Sequence, residues 1–211
     1  NYASARVRLV ETQEDWKRTH QLNILAIDHQ VFTRKGELPS AQFLNIVNAA
    51  CKAKAVQRVN DFIANHQHSL PADIQDHTVL VAKAIVNTET GAFQAAVDAL
   101  EHVQLKDLHL QLRSKQLLLI CYYELQVDDN KIFDLCTNFE LFLRRHRHTL
   151  IQAIKGLQNF VRIYKLLVGK KMDKKKIREH IDKAKLLYLR SWLNEKLQTY
   201  KATLAPRRRK P

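Results

Sequence analysis

The chain has 211 residues and a formal net charge of +14, with only four glycines and four prolines. This length and a hydrophobic content of 45% suffice for a sizeable buried core. Folds built on tight strand turns or glycine-rich phosphate loops need more glycine than this chain has. Because Ala, Leu, Gln, Lys and Arg dominate instead, the composition predicts an all-α fold.

Targeting and redox signals in the sequence are few. No run approaches the roughly 18 consecutive apolar residues of a membrane span, and no charged-then-apolar leader opens the chain. The first residue is Asn rather than Met, so we expect a chain that is processed, cut or partial. Three cysteines lie within apolar helical patterns and form no CxxC pair, which predicts buried, reduced thiols and a cytoplasmic location. They are Cys51, Cys121 and Cys136.

Three helices are predicted in the first 70 residues. Apolar residues at helical spacing predict the inner face of the first helix, which should end at "RKGELPS". These residues are Trp16, Ile24, Ile27 and Val31. Ser40 is predicted to be the N-cap of the second helix, and a third helix runs from Val56 to a point before Pro71.

Two helical hairpins follow. In the first, Asp73 is the predicted N-cap, and Gly91 marks the turn to a second helix. The next hairpin joins "LRSKQLLLICYYEL" to "KIFDLCTNFELFLRR", with a break between Val127 and Asn130. We therefore expect consecutive antiparallel helices joined by short turns.

The last third contains the most regular apolar stripe of the chain. Its members alternate steps of four and three, so Gly156 should lie inside this helix and Gly169 should end it. The stripe consists of Leu150, Ile154, Leu157, Val161, Tyr164 and Val168. A last helix is predicted over about Lys174 to Lys201, followed by a disordered basic tail, "APRRRKP". The total is eight or nine helices.

Helical hairpins of similar size predict a right-handed α-solenoid, in which neighbours stack to complete the core. At "TETGAFQAAVDALEHV" the residues Gly91, Phe93, Ala96 and Leu100 match the spacing of a tetratricopeptide repeat. From "FLNIVNAACKAKAVQRVNDFIANHQHSLP" to "LQNFVRIYKLL", the order of segments resembles a family of long bacterial (Bacteroidetes-type) helical-repeat proteins. This resemblance implies a tetratricopeptide-like fold and no assigned activity.

The charge distribution suggests an organisation in four parts. Residues 141–211 hold 21 Lys and Arg against four Asp and Glu, whereas residues 1–140 hold 14 against 17. We expect an N-terminal helix or the end of a preceding repeat (1–39), tetratricopeptide-like hairpins (40–140), a basic helical hairpin (141–201) closing the stack, and a disordered basic tail (202–211). The border falls within "FELFLRRHRHTL" at residues 139–150.

Catalytic chemistry has no support in the sequence. The motifs of nucleophilic serine hydrolases, P-loop and dinucleotide-binding proteins and zinc proteases are all missing. His66-x-His68 and His146-x-His148 place their side chains on different faces of a helix, so we predict no metal, no cofactor and no enzymatic activity. Instead we expect a helical scaffold that binds protein, with an apolar groove at Val81, Ile85 and Thr88.

The basic third allows several interpretations. Its cations either form a solvated helix face, bind the phosphate backbone of nucleic acid without sequence preference, or meet an acidic protein or anionic lipid. The candidate residues are Arg144, Arg145, Arg147, Lys171, Lys174, Lys175, Arg178 and Lys185. The last five are predicted to share one helix face. Arg144 and Arg145 also suit the C-terminal end of a structural helix dipole.

Overall fold

In the computed structural model, which describes residues 12–33 and 36–203, the chain forms ten α-helices, one short 3₁₀ helix and no β-strand. This confirms the all-α prediction for the described residues. The helices are α1 (Gln13–Asp28), α2 (Ser40–Lys52), α3 (Val56–His66), α4 (Gln75–Glu89), α5 (Phe93–Leu100), α6 (Leu108–Glu124), α7 (Asp129–Arg145), α8 (Ile151–Gly169), α9 (Lys174–Lys183) and α10 (Arg190–Thr199). The 3₁₀ helix, Gln67–Ser69, extends α3. Of the predicted tail (202–211), residues 204–211 lie outside the described residues, whereas the Thr203 N–H donates to the Lys170 carbonyl at 2.8 Å.

The described residues divide into two compact units, with unit 1 ending at Gln126 and unit 2 beginning at Val127. The charge border predicted at residues 140 and 141 therefore falls inside α7 rather than between units. The net charge of a stretch depends on which residues occupy its exposed positions. The limit of a compact unit depends instead on which helices pack against each other. The two borders need not coincide.

In unit 1, helices pack mainly on their neighbours in the chain. Helix α1 packs on α2, α2 packs on α3 and α4, and α4 packs on α5 and α6. The apolar run at the centre of α6 is buried, as expected. Gly91 has a φ of +83° at the turn between α4 and α5, a left-handed conformation that favours glycine.

The predicted caps of α2 and α4 differ from those in the structure. Ser40 is the first residue of α2 and is buried, and Pro39 takes the cap position with its φ fixed near −58°. Asp73 precedes the cap of α4 by one residue, because the Ile74 N–H donates to the Pro71 carbonyl at 3.1 Å and closes a turn there. Neither Ser40 nor Asp73 gives its helix a side-chain cap.

Unit 2 is organised around α8, which packs on α7, α9 and α10. Five of the six stripe residues predicted for α8 are buried, which confirms the inner face of this helix. Leu150 is the exception: it is 39% exposed and precedes α8 in a left-handed conformation. The helix ends at Gly169, as predicted.

The predicted last helix is in fact two helices, which raises the count within residues 12–33 and 36–203 to ten. Ala184 is extended and interrupts the helix between α9 and α10. The Arg190 guanidinium donates to the carbonyls of Ile181 and Ala184, so it satisfies the end of α9 at this break.

Candidate interaction surfaces

The three predicted groove residues are not exposed. Val81 and Ile85 are 0% and 1% exposed, and Thr88 donates from its hydroxyl to the Ala84 carbonyl at 2.8 Å. Helix α4, which carries them, is covered by α2, α5 and α6. A groove lined by these side chains is therefore closed in this structure, and they belong to the core of unit 1.

The buried face of helix α1 is rotated away from the predicted one and overlaps it only in part. Its buried positions are polar, whereas Leu22 and Leu25 are 40% and 55% exposed on the outer side. Of the predicted inner residues, Trp16 and Ile27 are half-buried, but Ile24 is exposed and Val31 lies exposed beyond the helix end. The buried residues of α1 are Asp15, Thr19, His20 and Asn23.

Two buried polar side chains of α1 lack hydrogen-bond partners among the described residues. They are Thr19, through its hydroxyl, and His20, through both ring nitrogens. Burial lowers the pKa of the His20 imidazole, and the nearby Arg58 guanidinium lowers it further. These surroundings therefore favour the neutral form of His20. Helix α1 packs in unit 1 although the hydroxyl of Thr19 and the ring nitrogens of His20 make no hydrogen bond there.

The buried neutral His20 makes the stability of the protein depend on pH. The pKa of His20 is lower in the folded state than in the unfolded state. As the pH falls below the ordinary value of about 6.5, His20 therefore takes up a proton in the unfolded state but not yet in the folded state. The free energy of unfolding should thus fall more steeply on acidification in wild type than in His20→Phe. Urea titrations from neutral to mildly acidic pH measure this, with exposed His102→Phe as the control. Parallel pH profiles for wild type and His20→Phe would contradict the prediction.

The predicted basic helix face is divided by the local structure. Lys171 precedes α9 and Lys185 follows it, so neither shares a helix face with the other candidates. Lys174 donates through Nζ to the Gln198 carbonyl at 2.7 Å, and Arg178 donates to Asn194 Oδ1 at 2.8 Å. These two cations hold α9 against α10, which leaves Lys175 and Lys171 exposed.

The other candidate cations lie at the opposite end of α8. Arg144 and Arg145 are exposed in the last turn of α7, and Arg147 is exposed in the connection to α8. Arg147 Nε donates to His148 Nε2 at 2.9 Å, and the rings of His146 and Phe142 lie 4.6 Å apart. Since α8 has 19 residues, its two ends are about 28 Å apart. The structure therefore presents two separate basic clusters.

Aromatic side chains of unit 2 pack in its interior. Tyr164 is fully buried and stacks on Trp192 with ring centroids 6.0 Å apart, and Lys196 lies 5.8 Å above the Trp192 ring. Tyr188 and Trp192 are only half-buried, but the Tyr188 ring packs against Gly156.

The cysteines are buried, reduced and free of disulfides, as expected. Burial raises the pKa of Cys51 and of Cys136 to about 12, and it also raises the pKa of Cys121. Thiols with raised pKa remain protonated at neutral pH and are poor nucleophiles. Within the described ranges, no group of three or more His, Cys, Asp or Glu is placed to hold a metal ion.

An open pocket of about 270 Å³ lies in unit 1 beyond the end of α1. His66 is the only ionisable side chain among its described lining residues, and its ring packs 4.8 Å from that of Phe62. The lining residues are Ile27, Gln30, Phe32, Thr33, Gly36, Leu38, His66 and Ser69.

Comparison of the chain with protein-family models, curated proteins and solved structures found no match. The resemblance to tetratricopeptide-like bacterial repeat proteins therefore stays a prediction from the sequence. In the part of the chain that the structure describes, no helix combines the length and apolar character needed to cross a membrane.

Proposed function

We propose that this chain is a non-enzymatic helical-repeat scaffold that binds a helix of a protein partner on the outer face of α1. The main support for this proposal is the orientation of α1, which buries polar groups and exposes Leu22 and Leu25. For an isolated unit this orientation is unfavourable, because two leucines stay in water while Thr19 and His20 lose their hydrogen bonds to it. A partner that covers the leucines offsets part of that cost.

An apolar helix is the occupant that best suits this surface. Leu22 and Leu25 are three residues apart and share one side of α1, the spacing at which a helix presents an apolar stripe. Helices α2 and α4 each pack on several neighbours, whereas α1 packs chiefly on α2. In a solenoid of stacked hairpins, which forms part of this proposal, an uncovered helix side is where another helix would stack.

The double substitution Leu22→Ser with Leu25→Ser tests the proposal. Each leucine buried in an interface contributes about 1–2 kcal/mol, so the dissociation constant should rise at least about tenfold. The wild-type chain is first immobilised and exposed to nuclease-treated lysate of its source cell, and a retained protein is identified. That protein is then purified and titrated against both forms by calorimetry.

A matched control replaces two other exposed leucines, Leu125 and Leu186, each 36% exposed. Their substitution by Ser should leave the dissociation constant unchanged. Equal affinity of the purified partner for wild type and the Leu22/Leu25 variant would contradict the proposal. Equal loss in both variants would show that binding follows general hydrophobicity rather than the face of α1.

A second candidate function is sequence-independent binding of the nucleic-acid backbone by unit 2. It is favoured by the charge distribution, since residues 127–211 hold 22 Lys and Arg against eight Asp and Glu, whereas residues 1–126 hold 13 of each. Clustered cations suffice for such binding, which weakens steeply with salt. The separation of the basic clusters at the two ends of α8 favours two contact regions rather than one continuous face.

A further inference from the structure

The hairpin formed by α7 and α8 ends in a surface that is both basic and apolar. Leu141 and Ile151 are 42% and 65% exposed, and Leu150 between the helices is 39% exposed. Exposed cations surround them at the same end of the hairpin. We call this set the tip surface: Leu141, Arg144, Arg145, Arg147, Leu150, Ile151 and Lys155.

The tip surface has little opposing negative charge. Residues 141–172 contain eight Lys and Arg and no Asp or Glu. The preceding acidic residue, Glu140, is engaged by Lys165, whose Nζ lies 3.1 Å from its carboxylate. The charged residues in the tip's own stretch of sequence are therefore all cations, and they should attract an anionic surface.

The apolar residues of the tip lie where they can enter such a surface. Leu141 precedes Arg145 by one helical turn, and Ile151 precedes Lys155 by one turn, so each shares a helix side with a cation. Leu150 has a φ of +51°, a left-handed conformation that is costly for a residue with a Cβ. The chain thus holds an exposed leucine at the very end of a hairpin between cations.

We infer that the tip surface docks on an anionic phospholipid bilayer, with Leu141, Leu150 and Ile151 entering the headgroup–acyl boundary. Interfacial binding of this kind combines apolar side chains with Lys or Arg that meet anionic lipid. Contact with a nucleic-acid backbone uses the cations but gains little from isolated leucine or isoleucine side chains. The inference does not depend on the protein partner proposed for α1.

The test measures binding of the full chain to phosphatidylcholine vesicles with and without phosphatidylglycerol, by co-sedimentation at low salt. Binding should require the anionic lipid. Replacing Arg144, Arg145 and Arg147 by Gln should weaken it on the order of a hundredfold, at about fivefold for each cation. Leu141→Ser with Ile151→Ser should weaken it about tenfold or more.

Each variant has a control of matched charge or exposure. Lys171, Lys175 and Lys176 replaced by Gln remove the same charge at the other end of α8, and this should weaken binding far less. Leu22→Ser with Val31→Ser removes two residues that are 40% and 68% exposed, close to the values of Leu141 and Ile151, and should leave vesicle binding unchanged. Circular dichroism verifies that all variants remain helical.

Three outcomes would overturn the inference. They are no binding to anionic vesicles, equal loss in the two charge variants, and wild-type affinity in the Leu141/Ile151 variant. A labelled single-stranded oligonucleotide tested in parallel identifies the alternative. The tip contacts nucleic-acid phosphates instead if vesicles do not bind and the oligonucleotide does. Oligonucleotide binding should then weaken with the arginine substitutions and stay unchanged with those at Leu141 and Ile151.

Discussion

Replacing Leu157 by Ala is expected to lower the free energy of unfolding by about 2–5 kcal/mol, as large-to-small substitutions in cores do. Leu157 is 2% exposed and lies in the first half of α8, the helix on which α7, α9 and α10 all pack. Removal of its side chain leaves a cavity that these neighbours fill only in part. Urea denaturation followed by circular dichroism measures the change.

The control for this substitution lies on the same helix. Ile151→Ala removes a similar side chain that is 65% exposed, and it should change stability by less than about 0.5 kcal/mol. An equal effect at both positions would mean that the stripe of α8 does not face the core. An unchanged melting temperature for Leu157→Ala would mean the same.

The success of the prediction for α8 has a physical basis. An apolar stripe that repeats along a helix of 19 residues defines one face on which the core can form. None of the residues of the stripe is a glycine or proline. Gly91 is similarly informative, because a turn with positive φ favours glycine. Long periodic helices and glycine turns could thus be predicted from the sequence alone.

The orientation of α1 could not be predicted in this way. Apolar periodicity identifies an apolar face, but it does not reveal whether the chain's own core covers that face. In α1 the buried side contains His20 and Asn23, and the exposed side contains Leu22 and Leu25. Patterning assumes that apolar residues turn inward, and that assumption fails for Leu22 and Leu25.

The division of the last predicted helix also depends on tertiary structure. No glycine or proline interrupts residues 174–201. At the break, Arg190 reaches the carbonyls at the end of α9 and Tyr188 packs on α8. These are contacts between residues distant along the helices or in the sequence, which periodicity does not register.

The candidate surfaces were predicted only in part. The cations at Arg144, Arg145 and Arg147 are exposed as their local sequence suggests, whereas Lys174 and Arg178 are engaged with α10. A run of cations in a sequence gives the charge of a segment but not its hydrogen-bond partners. The apolar part of the tip was missed, since Leu150 fits the stripe of α8 and only its left-handed conformation places it outside the core.

Gly156→Ala is expected to destabilise unit 2, although alanine favours helices over glycine by about 1 kcal/mol. A Cβ at residue 156 would lie 2.7 Å from Cδ2 and 3.0 Å from Cε2 of the Tyr188 ring. That ring cannot move away easily, because Asn159 donates to the Leu186 carbonyl at 2.8 Å and Tyr188 N–H donates to the Gly156 carbonyl. Overpacking costs about 1–3 kcal/mol, so the clash should exceed the gain in helix propensity.

A double-mutant cycle makes this prediction specific to the contact between Gly156 and Tyr188. In a Tyr188→Ala background the ring is gone, so the Gly156→Ala substitution should become stabilising by about 1 kcal/mol. The change of sign, measured by urea denaturation of the four proteins, would establish that glycine is required here for close approach and not for backbone freedom. Stabilisation by Gly156→Ala in both backgrounds would show that the Tyr188 ring does not press on α8. The segment between α9 and α10 would then be held by its hydrogen bonds, among them those of Arg190, Asn159 and the Tyr188 N–H, rather than by the ring contact.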